Sequence, residues 1–175
     1  MVLTFGHGTA TRDGIVELLR GAGATAVVDV RSAPGSRRNP HVARSEIEQW
    51  LPEAGIDYRW DRRLGGFRKL PADSPDVAWR NQSFRAYAAH MRTETFTAAV
   101  DELLAEPGLP AVMCSESVWW RCHRRMIADF LRLARAAPVH HLLHDGDVRD
   151  HEPMLEARLR DDGLLVYDGG QNTLL

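Results

Sequence analysis

Short apolar runs alternate along this chain with longer stretches in which apolar residues recur every three or four positions. Residues 2–5 form an apolar run closed by Gly6-His7-Gly8-Thr9, the pattern of a buried strand entering a tight turn. Thr9 or Thr11 caps a predicted helix to Ala22, with Ile15, Val16, Leu18, Leu19 and Ala22 on its apolar face and Gly21-Ala22-Gly23 as the stop. Residues 26–30 read as a second strand, and a loop dense in Pro, Gly and Asn follows to Pro40. Ser45 and Glu48 make a capping-box pattern that opens a helix to about Ala54, with Gly55 as stop and a third strand over 56–60.

Periodicity lapses over 61–82, where Leu64-Gly65-Gly66, Arg62, Arg63, Arg68, Pro71 and Pro75 mark an ordered functional loop or a lid. One helix resumes near Ser83, with Phe84, Tyr87, Ala88 and Met91 on a face. A second follows Thr93, with Phe96, Val100, Leu103 and Leu104, and Pro107-Gly108 ends it. Residues 110–113 and 139–143 are predicted strands, and 122–136 a helix that turns Met126, Ile127, Phe130, Leu131 and Leu133 inward. Strands alternating with helices in this way require crossover connections, hence a mostly parallel sheet covered on both faces. The expectation is a single α/β domain over 1–175: three layers, a mostly parallel central sheet flanked by helices, Rossmann-like. Residues 1–143 form its core, and 145–175 form a C-terminal extension packed on the core or an edge, with a short helix over 153–160 and a strand over 164–167.

Composition narrows the functional classes. A hydrophobic fraction of 44% and a charged fraction of 26% are those of a globular chain. A net charge of -2 gives no global attraction to nucleic acid or anionic membranes, so any such contact rests on a local patch. Lys69 is the only lysine among 22 basic residues, a compositional bias that weakens any argument from arginine abundance alone. The N-terminal run has no basic start, long apolar stretch or cleavage site, which predicts a cytoplasmic protein away from membranes. Two cysteines, Cys114 and Cys122, cannot supply a disulfide scaffold. Walker, dinucleotide-glycine and protease-triad patterns are missing from the sequence.

Residues that follow the strands of a parallel sheet line one edge, where ligands of such folds bind. Here that edge receives His7, then Asp29, Arg31 and the loop with Ser36 and Arg37, then Cys114, Ser115 and Glu116. Cys114 is a candidate nucleophile if its thiolate is stabilised, and otherwise a small buried core residue. Glu116 reads as a general base or an arginine clamp, with His7 and Asp29 as partners in proton transfer. Cys122-His123-Arg124 at a helix start offers an anion cradle, to which Arg31, Ser36 and Arg37 add. The alternative for these arginines is solvated surface charge. Seven residues separate the cysteines, which is no zinc-finger spacing, so no metal site and no cofactor are assigned; His140, His141 and His144 are a weak further metal signal. Arg31, Arg37, Arg38, Arg62, Arg63 and Arg68, with Trp60, Phe67, Trp79, Trp119 and Trp120, leave a nucleic-acid groove open, or a cover or dimer contact.

Four motifs occur in order: Gly6-His7-Gly8-Thr9; Asp29-Val30-Arg31-Ser32-x-Pro34-x-Ser36-Arg37-Arg38; Leu64-Gly65-Gly66; and Cys114-x-Glu116-x5-Cys122-His123-Arg124. With them the chain resembles the prokaryotic domain of unknown function 488 family over most of residues 1–143. The last motif is the most specific, and Gly8 stands where serine is expected in many relatives. The residues favour a strand-end pocket that binds a small phosphorylated or other anionic ligand, such as a nucleotide, and acts on it with Cys114, Glu116, His7 and Asp29. A non-catalytic redox- or metal-sensing module and a nucleic-acid-binding protein are the alternatives, and a homo-oligomer is left open.

Overall fold

The computed structural model describes residues 1–169. Five parallel strands form the centre: β1 (Val2–Gly6), β2 (Ala26–Asp29), β3 (Asp57–Trp60), β4 (Pro110–Cys114) and β5 (Val139–Leu142). A short β6 (Val148–Asp150) returns antiparallel on β5, giving the order β3-β2-β4-β1-β5-β6. β4 therefore lies between β1 and β2, pairing Gly6 with Cys114 on one side and Asp29 with Met113 on the other. That insertion brings the ends of the three strands predicted to carry chemistry side by side.

Period-two alternation sends successive strand residues to opposite faces. Val27, Ala111 and Met113 join a cluster with Ile15 and Leu19 of α1 (Arg12–Gly21) and Ile47, Trp50 and Leu51 of α2 (Arg44–Glu53). Val28, Val30, Val112 and Cys114 face the opposite cluster, built by Tyr87 of α3 (Gln82–His90), Phe96 and Val100 of α4 (Glu94–Leu104), and Met126 and Phe130 of α5 (Arg124–Ala134). The three predicted layers are present. Among the described residues, no helix is long and apolar enough to cross a membrane.

Local readings needed three corrections. The N-cap of α2 is Ala43, without a side-chain cap, because a 3-10 turn at Pro40–Val42 runs straight into the helix; Glu48 pairs with Arg44 instead of closing a capping box with Ser45. α5 starts at Arg124, after a 3-10 turn at Trp119–Arg121, and Cys122 is extended. The helix expected over 153–160 is instead β7 (Ala157–Leu159), hairpinned with β8 (Leu165–Tyr167). Residues 170–175 of the predicted extension lie outside the described residues.

Hydrogen bonds fasten this hairpin to the core. Arg92 pairs with Asp76 and donates to the Leu165 carbonyl, while the Tyr167 amide donates to Asp76. A buried chain runs from the Thr4 hydroxyl to His141 Nδ1 (2.7 Å), from His141 Nε2 to His151 Nδ1 (2.9 Å) and from His151 Nε2 to Asp129 (2.8 Å). The Tyr167 hydroxyl donates to the second Asp129 oxygen at 2.8 Å. The chain links a hydroxyl at one end to a carboxylate at the other through two imidazoles, each using both of its ring nitrogens. Removing that phenol leaves a buried carboxylate oxygen short of a donor. Tyr167→Phe is expected to cost about 2 kcal/mol, read as a lower denaturant midpoint; an unchanged midpoint would show that the chain contributes nothing to docking the hairpin.

Candidate functional site

At the strand ends the backbone rather than any charged side chain dominates the geometry. Cys114 closes β4, and in the turn after it the backbone of Ser115 and Glu116 favours the ionised form of the Cys114 sulfur. The Arg124 guanidinium, 1% exposed, donates to the carbonyls of Glu116 (2.6 Å) and Ser117 (3.1 Å) and fixes the turn from beneath. Cys122 Sγ lies 2.9 Å from Cys114 Sγ, its thiol donating to the Cys114 sulfur. That thiol, the turn backbone and the positive charge of Arg124 together bring the Cys114 pKa down to about 7 despite burial. Donation to Cys114, reinforced by burial, pushes the Cys122 thiol well up, so the pair reads as one thiolate and one thiol.

His123 completes the cluster. Its Nε2 donates to the Val30 carbonyl at 3.2 Å, leaving Nδ1 unprotonated and 3.6 Å from Cys122 Sγ. Burial holds its pKa near 4. Gly66 makes room for the ring, since a Cβ there would stand 2.8 Å from Nδ1. The donor atoms of Cys114, Cys122 and His123 lie within 4.8 Å of one another, a set of two sulfurs and one nitrogen that suits a soft cation such as zinc.

Asp29 and Arg31 form a buried ion pair beside this cluster. Nε and Nη2 of Arg31 donate to the Asp29 carboxylate, and Nη2 also reaches the Val42 carbonyl at 2.9 Å. Asp29 further accepts the Tyr58 hydroxyl at 2.7 Å, a partner that the sequence reading missed although β3 was placed correctly. Arg31 Nη1 faces His7 Nε2 at 3.4 Å, and His7 Nδ1 donates to the Gly8 carbonyl. Burial, then the Arg31 charge, lowers the His7 pKa to about 4.

The predicted residues therefore divide. His7, Asp29, Arg31, Cys114, Cys122, His123 and Arg124 converge at the ends of β1, β2 and β4, but Nη2 of Arg124 and most of the Arg31 guanidinium are directed at protein acceptors. Glu116 is exposed, with its carboxylate capping the Val118 amide. Cys114, Arg31, Ser32, Phe67 and His123 border a cleft of about 260 Å³. Ser115, on its wall, also borders a cavity of about 370 Å³ with His7, Ser36, Arg37, Arg38 and Asn39. Arg37 and Arg38 are the exposed cations there.

Sequence comparison matches residues 11–131 to the domain of unknown function DUF488. The chain belongs to this family. Its match spans the ends of β2 and β4, both cysteines and Arg124, while β1 with His7 precedes it and β5 to β8 follow it. Among curated proteins and solved structures nothing matches this DUF488 chain.

The buried imidazoles set a pH dependence. His7 and His123 have pKa values near 4 and His141 near 3, below the ordinary 6.5, chiefly through burial. Between those values the unfolded chain binds more protons than the native one, so stability falls as pH drops below 6.5, by about 1.4 kcal/mol per pH unit for each histidine. Urea midpoints measured from neutral to mildly acidic pH should decline steeply, and a flat profile would place these imidazoles in contact with water.

Proposed function

We propose that the protein is a thiol-dependent enzyme that binds a small phosphorylated or other anionic ligand, a nucleotide among them, at its strand-end cleft and attacks it with the Cys114 thiolate. The observation that carries this reading is the Cys114 sulfur itself, which accepts from the Cys122 thiol at 2.9 Å while bordering an open cleft, with the Ser115 and Glu116 backbone and the Arg124 charge favouring its ionised form. A sulfur so surrounded is ionised near neutral pH, the state in which cysteine is nucleophilic. Arg37, Arg38 and Ser36, with Asn39, supply the anion contacts from the adjoining cavity. Arg31 and Arg124 act as positioning residues, the first through Asp29 and His7 and the second through the Cys114 turn.

A second reading, a non-catalytic metal- or redox-sensing module, draws on the Cys114, Cys122 and His123 donor set, with the His123 Nε2 bond to Val30 resembling the outer support of a metal-bound imidazole. Stoichiometric metal in the purified protein would favour it.

The rate of iodoacetamide alkylation against pH tests the nucleophile. Cys114 should titrate with a midpoint near 7, be slowed by inorganic phosphate, and lose that protection when Arg37 and Arg38 are both changed to alanine. If both thiols react only on unfolding, Cys114 is a core residue and the reading fails.

A further inference from the structure

Hydrolytic or group-transfer chemistry at a thiolate needs one sulfur, and here there are two. Cys122 does not border the Cys114 cleft; it borders a neighbouring cleft of about 200 Å³ that shares Gly66, Phe67 and His123 with the first. Its sulfur stands 2.9 Å from Cys114 Sγ. This is the arrangement needed for a second displacement at Cys114 Sγ: a second thiol in contact with it, and a cleft beside it for the leaving group.

We infer that Cys122 is a resolving cysteine and that the protein reduces small anionic disulfides. The inference rests on the reading of Cys114 as the nucleophile and names the electrophile as sulfur. In the first step the Cys114 thiolate attacks one sulfur of R–S–S–R′; the substrate S–S bond breaks, R′S⁻ leaves into the cleft and takes a proton from solvent, and Cys114 carries R as a mixed disulfide. In the second step the Cys122 thiol loses its proton to water and its sulfur attacks Cys114 Sγ. The bond from Cys114 to SR breaks, and RS⁻ leaves and takes a proton from solvent. Two electrons pass from the cysteine pair to the substrate, giving RSH, R′SH and a Cys114–Cys122 disulfide, which an external dithiol reduces to restart the cycle. Anionic substrates are favoured because Arg37 and Arg38 are the exposed charges of the adjoining cavity, and the cleft volume suits a molecule of a few non-hydrogen atoms on either side of the sulfurs.

The test uses the reduced full chain with dithiodiglycolate, a small dianionic disulfide, and with cystamine, its dicationic counterpart, followed by mass spectrometry of protein and products. One turnover with dithiodiglycolate should release both halves as thioglycolate and leave the protein with an internal disulfide. Cys122→Ser should release one half and trap the other on Cys114, and Cys114→Ser should react at least about 100-fold more slowly. Cystamine should react about tenfold more slowly than dithiodiglycolate, the difference shrinking with salt. Wild-type protein that stays as a mixed disulfide at Cys114 with Cys122 free would overturn the resolving role while leaving Cys114 as the nucleophile; this outcome is read without any variant. Equal rates for the two probes would overturn the anionic substrate class, and an inert Cys114 would overturn the nucleophile reading and this inference together.

Discussion

One buried guanidinium shapes the strand-end site. Arg124 donates to the carbonyls of Glu116 and Ser117 and ties the turn to α5, while the amides of His7 and Gly8 hold the carbonyls of Cys114 and Ser115, whose peptide planes carry the Ser115 and Glu116 amides near the Cys114 sulfur. β1 must then pass very close to the turn: a Cβ on Gly6 would stand 1.8 Å from the Glu116 carbonyl oxygen, so only glycine fits there. The same residues that form the family motif after β4 thus build a frame before they build a reagent. The frame aligns one sulfur with hydrogen-bond donors, and the short segment 115–121 returns a second sulfur against the first.

Arginine is used in the same way elsewhere. Arg68 donates to the carbonyls of Arg62, Arg63 and Gly65, Arg31 to that of Val42, Arg85 to that of Ser74 and Arg20 to that of Ala54. A planar group with several donors in fixed directions can hold two or three carbonyls that no strand or helix satisfies, which a lysine ammonium does less well. Much of the basic content of this chain therefore stitches loops to elements, consistent with a net charge of -2 and no general polyanion affinity. Arg37 and Arg38 stand out because they are exposed beside the site.

Much of the architecture was legible in the sequence because it depends on periodicity. The five parallel strands and the helices between them follow from apolar spacing and glycine stops, and Gly55 ends α2 with a positive φ, as its position suggested. The convergence of His7, Asp29 and Cys114 followed from strand polarity alone. What was not legible was side-chain direction. Arg31 looked like an anion ligand, yet its shortest contacts are with Asp29, two residues back, because both lie at the buried end of β2. Cys122 was read as the first residue of a helix; a 3-10 turn over Trp119–Arg121, which has no hydrophobic period of its own, sets it against Cys114 instead. The Asp129, His141 and His151 chain was missed as well. Its one sequence signal was an aspartate on the inward face of α5, among Met126, Ile127 and Phe130, where an unpaired carboxylate would be costly.

The central claim is that the Cys114 thiolate is held by the Cys122 thiol, by the turn amides and by the Arg124 charge. Its most direct measurement is the ultraviolet absorbance of the thiolate, titrated against pH in wild-type protein and in Cys122→Ala. The account predicts one thiolate per chain with a midpoint near 7, moving upward when the Cys122 donor is removed. A wild-type midpoint at the ordinary thiol value, unmoved by the substitution, would contradict it.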